Sequence, residues 1–454
     1  MLHSLHVSGS SVGPSAAVCY TTGRLIDRES SRVRIKVEGR TPLSGVYRPA
    51  GSANAAQALI AAALLTEAPV VIRNLPQTLS TQGMLDTAVH LGAAVERQDA
   101  EQVTLDAAAI SRRTLAQGES DASLGLILFL PALLARRQHA RLEVDFPLNR
   151  IRTHLEALRD LGQDVLTQSG AVDVRAAAWE RKDIVLSQTS VTATALVMML
   201  ASRLGKETVI HNAATEPHVQ QLAQFLGQLG ARIEQAGSNV MRVFGTPEMG
   251  GAEATVACDV IEAASVAAIS ALTGGRLQIE CVPAADMRLI ARIYQRLGVQ
   301  LELSEDQIFV PRHEALTVSN REEDVDSSIE TAPWPGFPSD LVAIATVIAA
   351  QSRGTSLIHE KLYANRLFFV DKLKAMGAQI VLCDPHRAIV IGPSPLRGIY
   401  LDTPDVRTGL GMLGAALVAE RETTIDNAQA LEHTFGGVLG RLQGIQAKIT
   451  LVEP

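Results

Sequence analysis

The sequence predicts an α/β protein of two domains, each built from three copies of one supersecondary unit. Three observations carry this reading. Amphipathic segments closing on a glycine recur at Gly92, Gly162, Gly230, Gly298, Gly377 and Gly444, about 70 residues apart. Ala-rich segments that are apolar nearly all round keep the same step, and such helices must be buried inside their own lobe. At 454 residues the chain is too long for one hydrophobic core and divides most naturally in two.

The clearest copy runs from Pro338 to Gly377. It reads as a small-residue helix from about Asp340, a short strand around Thr355 to His359, a polar turn, and an amphipathic helix ending at the glycine. The closing helices are MLDTAVHLGAAVE, HLEALRDLGQDVL, QLAQFLGQLGARIE, LIARIYQRLGVQLEL, VDKLKAMGAQIVL and VLGRLQGIQAKITL, each followed by an alternating run with the period of a half-buried strand. The buried helices are expected in SANAAQALIAAALL, SDASLGLILFLPALLA, SVTATALVMMLASRL, DVIEAASVAAISAL, PSDLVAIATVIAA and DVRTGLGMLGAALVAE. Each opens on Ser, Asp or Thr within its first residues, types that accept hydrogen bonds from otherwise unpaired N–H groups at a helix start.

Taken from the N-terminus, residues 1–31 are rich in Ser and Gly and read as a flexible extension. VRIKVEGRTPLSGVYRPAGSANAAQ then gives a strand, a turn from Glu38 to Pro42, a second short strand and the first buried helix.

Charge and composition narrow the function classes. With 47% hydrophobic, 20% charged and only 4% aromatic residues the chain is globular and suited to close small-residue packing. A net charge of −7 without a basic stripe argues against nucleic acid or an anionic membrane as partner, whereas a small anionic ligand held by a local Arg cluster remains compatible. Cys19, Cys258, Cys281 and Cys383 have neither C-x-x-C nor metal spacing and are read as buried or free thiols in a reducing cytoplasm, with no metal centre. No run of 18 apolar residues and no signal-peptide pattern is present.

The six-unit count, the order of elements and several local motifs together resemble the enolpyruvyl transferase superfamily, closest to its UDP-N-acetylglucosamine branch, over residues 33–453. The resemblance implies two inside-out α/β barrel domains made of six βαβαββ repeats, with a ligand cleft between them. It places the domain exchanges near Ala53 and Asp259, so that one domain is 53–258 and the other 32–52 plus 259–454. It implies a small-molecule partner, a nucleotide or nucleotide sugar with phosphoenolpyruvate, no cofactor, and a monomer or homo-oligomer. Helix N-termini converging on the cleft suit a phosphorylated ligand on general grounds, because they present unpaired N–H groups and positive dipole ends.

Carried over residue by residue, the resemblance gives Asp340 in FPSD as a base, and Arg366 in LYANRLFFV and Arg407 in LDTPDVRTGLG as cations. Tyr363 and Asp405 accompany them as ligand-binding positions, and the last family Arg falls on His433. In the first domain Asn54 is retained, with a plain N-cap as the alternative reading, but the neighbouring Lys position is Ala53 and an Arg position is Leu124. ARLEVDFPLNRIRTHLEALRDLG corresponds to a loop that bears an acid in the family. Here it is short, with Asp145 and Arg150 each about one residue out of register and His154 matched. The turn Ser190, Val191, Thr192 stands where the family contacts a nucleotide, with Thr192 replacing a Gly. In NAATEPHV, Glu216 is kept and Thr215 replaces a basic residue.

Adding a hydroxyl to phosphoenolpyruvate and expelling phosphate needs a base, an acid at the methylene carbon and several cations. If each lost charged hydrogen bond is worth about 1.5–3 kcal/mol, three missing groups amount to roughly 4.5–9 kcal/mol. The sequence therefore points to a diverged transferase, or to the same nucleotide cleft serving another reaction or a non-catalytic binding role.

Overall fold

The computed structural model describes residues 33–116, 123–319, 328–402 and 408–452. The extension at 1–31, Asp405 and Arg407 lie outside them.

Inward apolar residues alternate with outward polar ones most clearly in Arg34–Glu38, where Ile35 and Val37 are buried and their neighbours exposed. Among the described residues there are six four-stranded sheets of one topology. In the third unit Trp179–Val185 runs parallel to Gly205–His211, which pairs antiparallel with Val240–Phe244, which pairs with Arg232–Glu234. Three strands come from outside their own unit. Ala252–Thr255 joins the first sheet beside Val70–Arg73, Gly45–Tyr47 joins the fourth beside Leu277–Glu280, and Arg34–Glu38 lies between Glu422–Ile425 and Lys448–Val452 in the sixth.

Twelve α-helices alternate between inner and outer positions among the described residues. The inner ones are α1 (Ala53–Ala63), α3 (Leu130–Arg137), α5 (Val191–Leu204), α7 (Val260–Leu272), α9 (Val342–Gln351) and α11 (Gly409–Val418). The outer ones are α2 (Leu79–Leu91), α4 (Arg152–Asp160), α6 (Pro217–Leu229), α8 (Ala284–Arg296), α10 (Phe369–Ala375) and α12 (Val438–Gly444). Small residues let the inner helices approach closely. A Cβ placed on Gly411 of α11 would fall 2.5 Å from the Ala343 Cβ of α9.

The apolar interior forms two clusters, one spanning Ala55 to Val256, the other combining Ile35, Val37, Leu43 and Tyr47 with Cys258 to Ile449. The result is a pair of lobes with helices inside and sheets outside. Two antiparallel segments cross between them, joined by Ser52 N–H to Ala257 O and Asp259 N–H to Ala50 O, both 2.8 Å.

Four expectations are corrected. Ser123–Phe129 forms a 3₁₀ helix and α3 begins only at Leu130. Pro131 is the cause, because an α-helix running through it would lose a hydrogen bond and clash with the carbonyl of Ile127. Gly92, Gly162, Gly230, Gly298 and Gly377 take the left-handed conformation that ends a helix, but Gly444 remains within α12 and Gln446, at φ 80°, turns the sixth copy. Asn54 does not cap α1; Ser52 holds that position. Cys258 and Cys281 are joined in a disulfide, while Cys383 is free and exposed. Their 23-residue separation carries no sequence signature, since the pairing follows from α7 doubling the chain back on itself. No described helix is long and apolar enough to cross a membrane.

Candidate functional site

The starts of α1, α5 and α6 converge in the first lobe around a cavity of about 40 Å³ whose lining includes Asn54, Gln57, Leu128, Val191, Thr192 and His218. At the start of α5 the Ser190 hydroxyl accepts from Ala193 N–H at 3.3 Å, the ordinary capping bond. That hydroxyl is engaged with the helix, while Val191 and Thr192 face the cavity. Thr192 Oγ1 lies 2.7 Å from Nε2 of His154, a buried ring on the first turn of α4. Burial lowers the His154 pKa to about 4, so the ring is neutral at pH 7. His218 on α6 is lowered to about 4 for the same reason, partly opposed by the negative charge of Asp340, and its Nε2 is buried without a partner.

The second lobe supplies a charged counterpart. Arg366 donates through Nη1 to Asp340 Oδ1 at 2.9 Å, with the Arg side chain 10% exposed and the Asp 45%. The same guanidinium lies over the Tyr363 ring, 4.6 Å from its centre. Glu360, a fully buried carboxylate, organises this corner. Its Oε1 accepts from Thr331 Oγ1 (3.0 Å), Leu362 N–H (2.8 Å) and Tyr363 N–H (3.1 Å), and its Oε2 accepts from the hydroxyl of Ser339. It thereby ties the residue before Asp340 to the turn that carries Tyr363 and Arg366.

The two halves meet. Thr215 Oγ1 donates to Trp334 O at 2.6 Å, and Glu216 and His218 both sense the charge of Asp340. On the other side Ser80 Oγ donates to His433 O at 2.7 Å, placing His433 in the short helix Ala428–His433 against the first lobe.

Pairwise contacts thus link Asn54, Val191, Thr192 and His154 at the first-lobe cavity, through His218 and Glu216, to Asp340, Tyr363 and Arg366 of the second lobe. Arg150 stands on the exposed turn before α4, its guanidinium 6.0 Å from the Phe146 ring centre. Asp145 is exposed on the same turn. Sequence reading missed His218 and Glu360. Two of the partners of Glu360, the N–H groups of Leu362 and Tyr363, are local, but the hydroxyls of Thr331 and Ser339 come from 29 and 21 residues away.

Comparison with known proteins gives a consistent picture. Residues 37–442 match the family model of EPSP synthase (3-phosphoshikimate 1-carboxyvinyltransferase). The UDP-N-acetylglucosamine 1-carboxyvinyltransferase of Treponema denticola is 38% identical over 421 residues, covering 92% of this chain and 99% of the relative. That of Bradyrhizobium diazoefficiens is 39% identical over 425 residues, covering 92% and 97%. The fold is similar to that of the enolpyruvyl transferase NikO from Streptomyces tendae, with a TM-score of 0.81 at 24% identity, covering 94% of this chain and all of that one.

Proposed function

This chain belongs to the EPSP synthase (3-phosphoshikimate 1-carboxyvinyltransferase) family, and we propose that it is a diverged carboxyvinyl transferase joining phosphoenolpyruvate to a UDP-sugar such as UDP-N-acetylglucosamine, or to a related nucleotide. The observation that carries this reading is the Asp340–Arg366 pair, beside Tyr363 in the corner that Glu360 organises, near enough for the Asp340 charge to act on Glu216 and His218 of the other lobe. In this reading Asp340 takes the proton of the acceptor hydroxyl. Arg366, with Arg407, offsets the charge of the phosphate and carboxylate. Asn54, Val191 and Thr192 lie beside the acceptor, and the crossings near residues 53 and 259 are the hinge on which two domains close.

A second reading, the same nucleotide cleft working without phosphoenolpyruvate, is favoured by one feature. The described lining of the first-lobe cavity carries no cation, and His218 is neutral there.

Calorimetric titration separates them. Binding of UDP-N-acetylglucosamine or UMP followed by phosphoenolpyruvate, with phosphate released only when both are present, is expected from the first. Nucleotide binding with no response to phosphoenolpyruvate would leave only the second. Asp340→Ala is expected to retain nucleotide binding and lose at least about 100-fold in turnover; parental rates would remove Asp340 as the base.

A further inference from the structure

Carboxyvinyl transfer requires a proton donor at the methylene carbon, and the short turn before α4 offers only Asp145, exposed to water. Another carboxyl stands where the lobes meet. Glu216 occupies the N-cap position of α6, yet its side chain makes no capping bond to the first turn of the helix. The preceding residue, Thr215, is bonded to Trp334 O of the other lobe. Oε2 of Glu216 is buried and has no hydrogen-bond partner. Burial raises its pKa; the N–H groups of Glu216 and Thr215 oppose that, and the Asp340 charge adds to it.

Two carboxyls from different lobes, near enough for one charge to act on the other, are therefore in opposite circumstances. Asp340 is ion-paired and partly solvated, while Glu216 has no ion pair among the described residues and its Oε2 is buried without a hydrogen bond. Environments that separate two carboxyls in this way divide the base role from the acid role.

We propose that Glu216 is the general acid–base at the methylene carbon, with Asp340 serving the acceptor hydroxyl; the assignment rests on the carboxyvinyl-transferase reading. In the addition step the C2=C3 π electrons take the Glu216 proton at C3. The acceptor oxygen bonds to C2, and its proton passes to Asp340. In the elimination step the Glu216 carboxylate removes a proton from C3 and the double bond re-forms. The C2–O bond to phosphate breaks, and the departing phosphate takes the proton held by Asp340. Both carboxyls return to their starting states. The lobes must be together for this, since Glu216 and Asp340 come from different ones.

The test runs the full chain in D₂O with phosphoenolpyruvate and UDP-N-acetylglucosamine, following phosphate release and deuterium at C3 by NMR, as a function of pD. Wild type is expected to place deuterium at C3. Glu216→Gln should lose at least about 100-fold in both readouts while nucleotide affinity and melting temperature stay close to parental. Glu216→Asp should recover part of the rate and displace the limb of the pD profile that reports the acid. Release and exchange within tenfold of wild type in Glu216→Gln overturns the assignment. So does a loss confined to stability or nucleotide binding, which is what a purely structural Glu216 would give. A wild type that binds nucleotide but releases no phosphate overturns the transferase reading, and the acid role with it.

Discussion

The Glu262 carboxylate, on the first turn of α7 and 1% exposed, receives Nε of Arg441 at 2.9 Å and Nη2 at 3.0 Å from α12. Tyr47 OH donates to the same carboxylate at 2.5 Å. Residues 47, 262 and 441 belong to three distant stretches, and their meeting joins a strand leading into one crossing, the helix following the other, and the end of the chain. Arg441 also donates through Nη1 to Gly436 O at 2.8 Å, on the loop that lies against the first lobe.

Removing the cation from this network strands a buried carboxylate. Arg441→Met is expected to lower unfolding free energy by about 3–5 kcal/mol, read by urea denaturation. Adding Glu262→Gln to it should restore part of that loss, because the double variant leaves no uncompensated charge. Equal stability of single and double variants would contradict this account.

The disulfide pins the second crossing to the sheet of its own lobe. Cross-linking a loop of 23 residues is worth about 3 kcal/mol through restriction of the unfolded chain. Cys258→Ser is expected to show that loss under non-reducing conditions, and thiol counting of the unreduced protein should find Cys258 and Cys281 unreactive. Reductant should lower the wild type's melting temperature to that of the variant and leave the variant unchanged.

Gly436 lies in tight backbone contact with the other lobe. A Cβ there would fall 1.8 Å from Gln77 O, a backbone atom of the other lobe that cannot rotate away. Gly436→Ala should therefore push the Gly436 and Gln77 backbones apart beside the crossings, with small-angle scattering showing a larger radius. Ligand affinity should fall at least tenfold for any ligand that needs both lobes. An unchanged radius would mean that the loop yields instead.

His154 gives a pH signature of known sign. Its folded pKa, about 4, lies below the usual 6.5, so the unfolded chain binds the proton more tightly. The stability that comes from keeping the ring neutral is complete above pH 6.5 and is lost as pH falls towards 4. At pH 5 the loss is about 2 kcal/mol relative to pH 7. Asp259 runs the other way, since burial raises its pKa to about 6 and its protonation favours the folded state in the same range. The informative quantity is thus the difference between wild type and His154→Gln. The variant should be less stable at pH 7 and should close about 2 kcal/mol of that gap by pH 5; a constant gap would contradict a buried neutral ring.

Much of the architecture was legible from periodicity. The inner helices are apolar on every face because sheets and other helices surround them, and the glycine step follows from repeated left-handed helix ends. The sixth turn was misplaced because Gln446 adopts a conformation normally signalled by glycine. The delayed start of α3 was hidden because Pro131 sits in a run whose apolar pattern continues through it.

By itself the sequence determined the α/β class, the copy number, the two-lobed division, and the local motifs that place Asp340 at a helix start and Arg366 by a polar turn. Those properties depend on neighbours close in the chain or on a repeated pattern. The tertiary structure decided which polar groups are paired and which are withdrawn from water: Asp340 with Arg366, Glu360 among its donors, Oε2 of Glu216 buried without a hydrogen bond, Cys258 with Cys281. Pairing and burial are set by segments tens or hundreds of residues apart meeting across the fold, and hydrogen bonds and desolvation act over ångströms in space, whatever the separation along the chain.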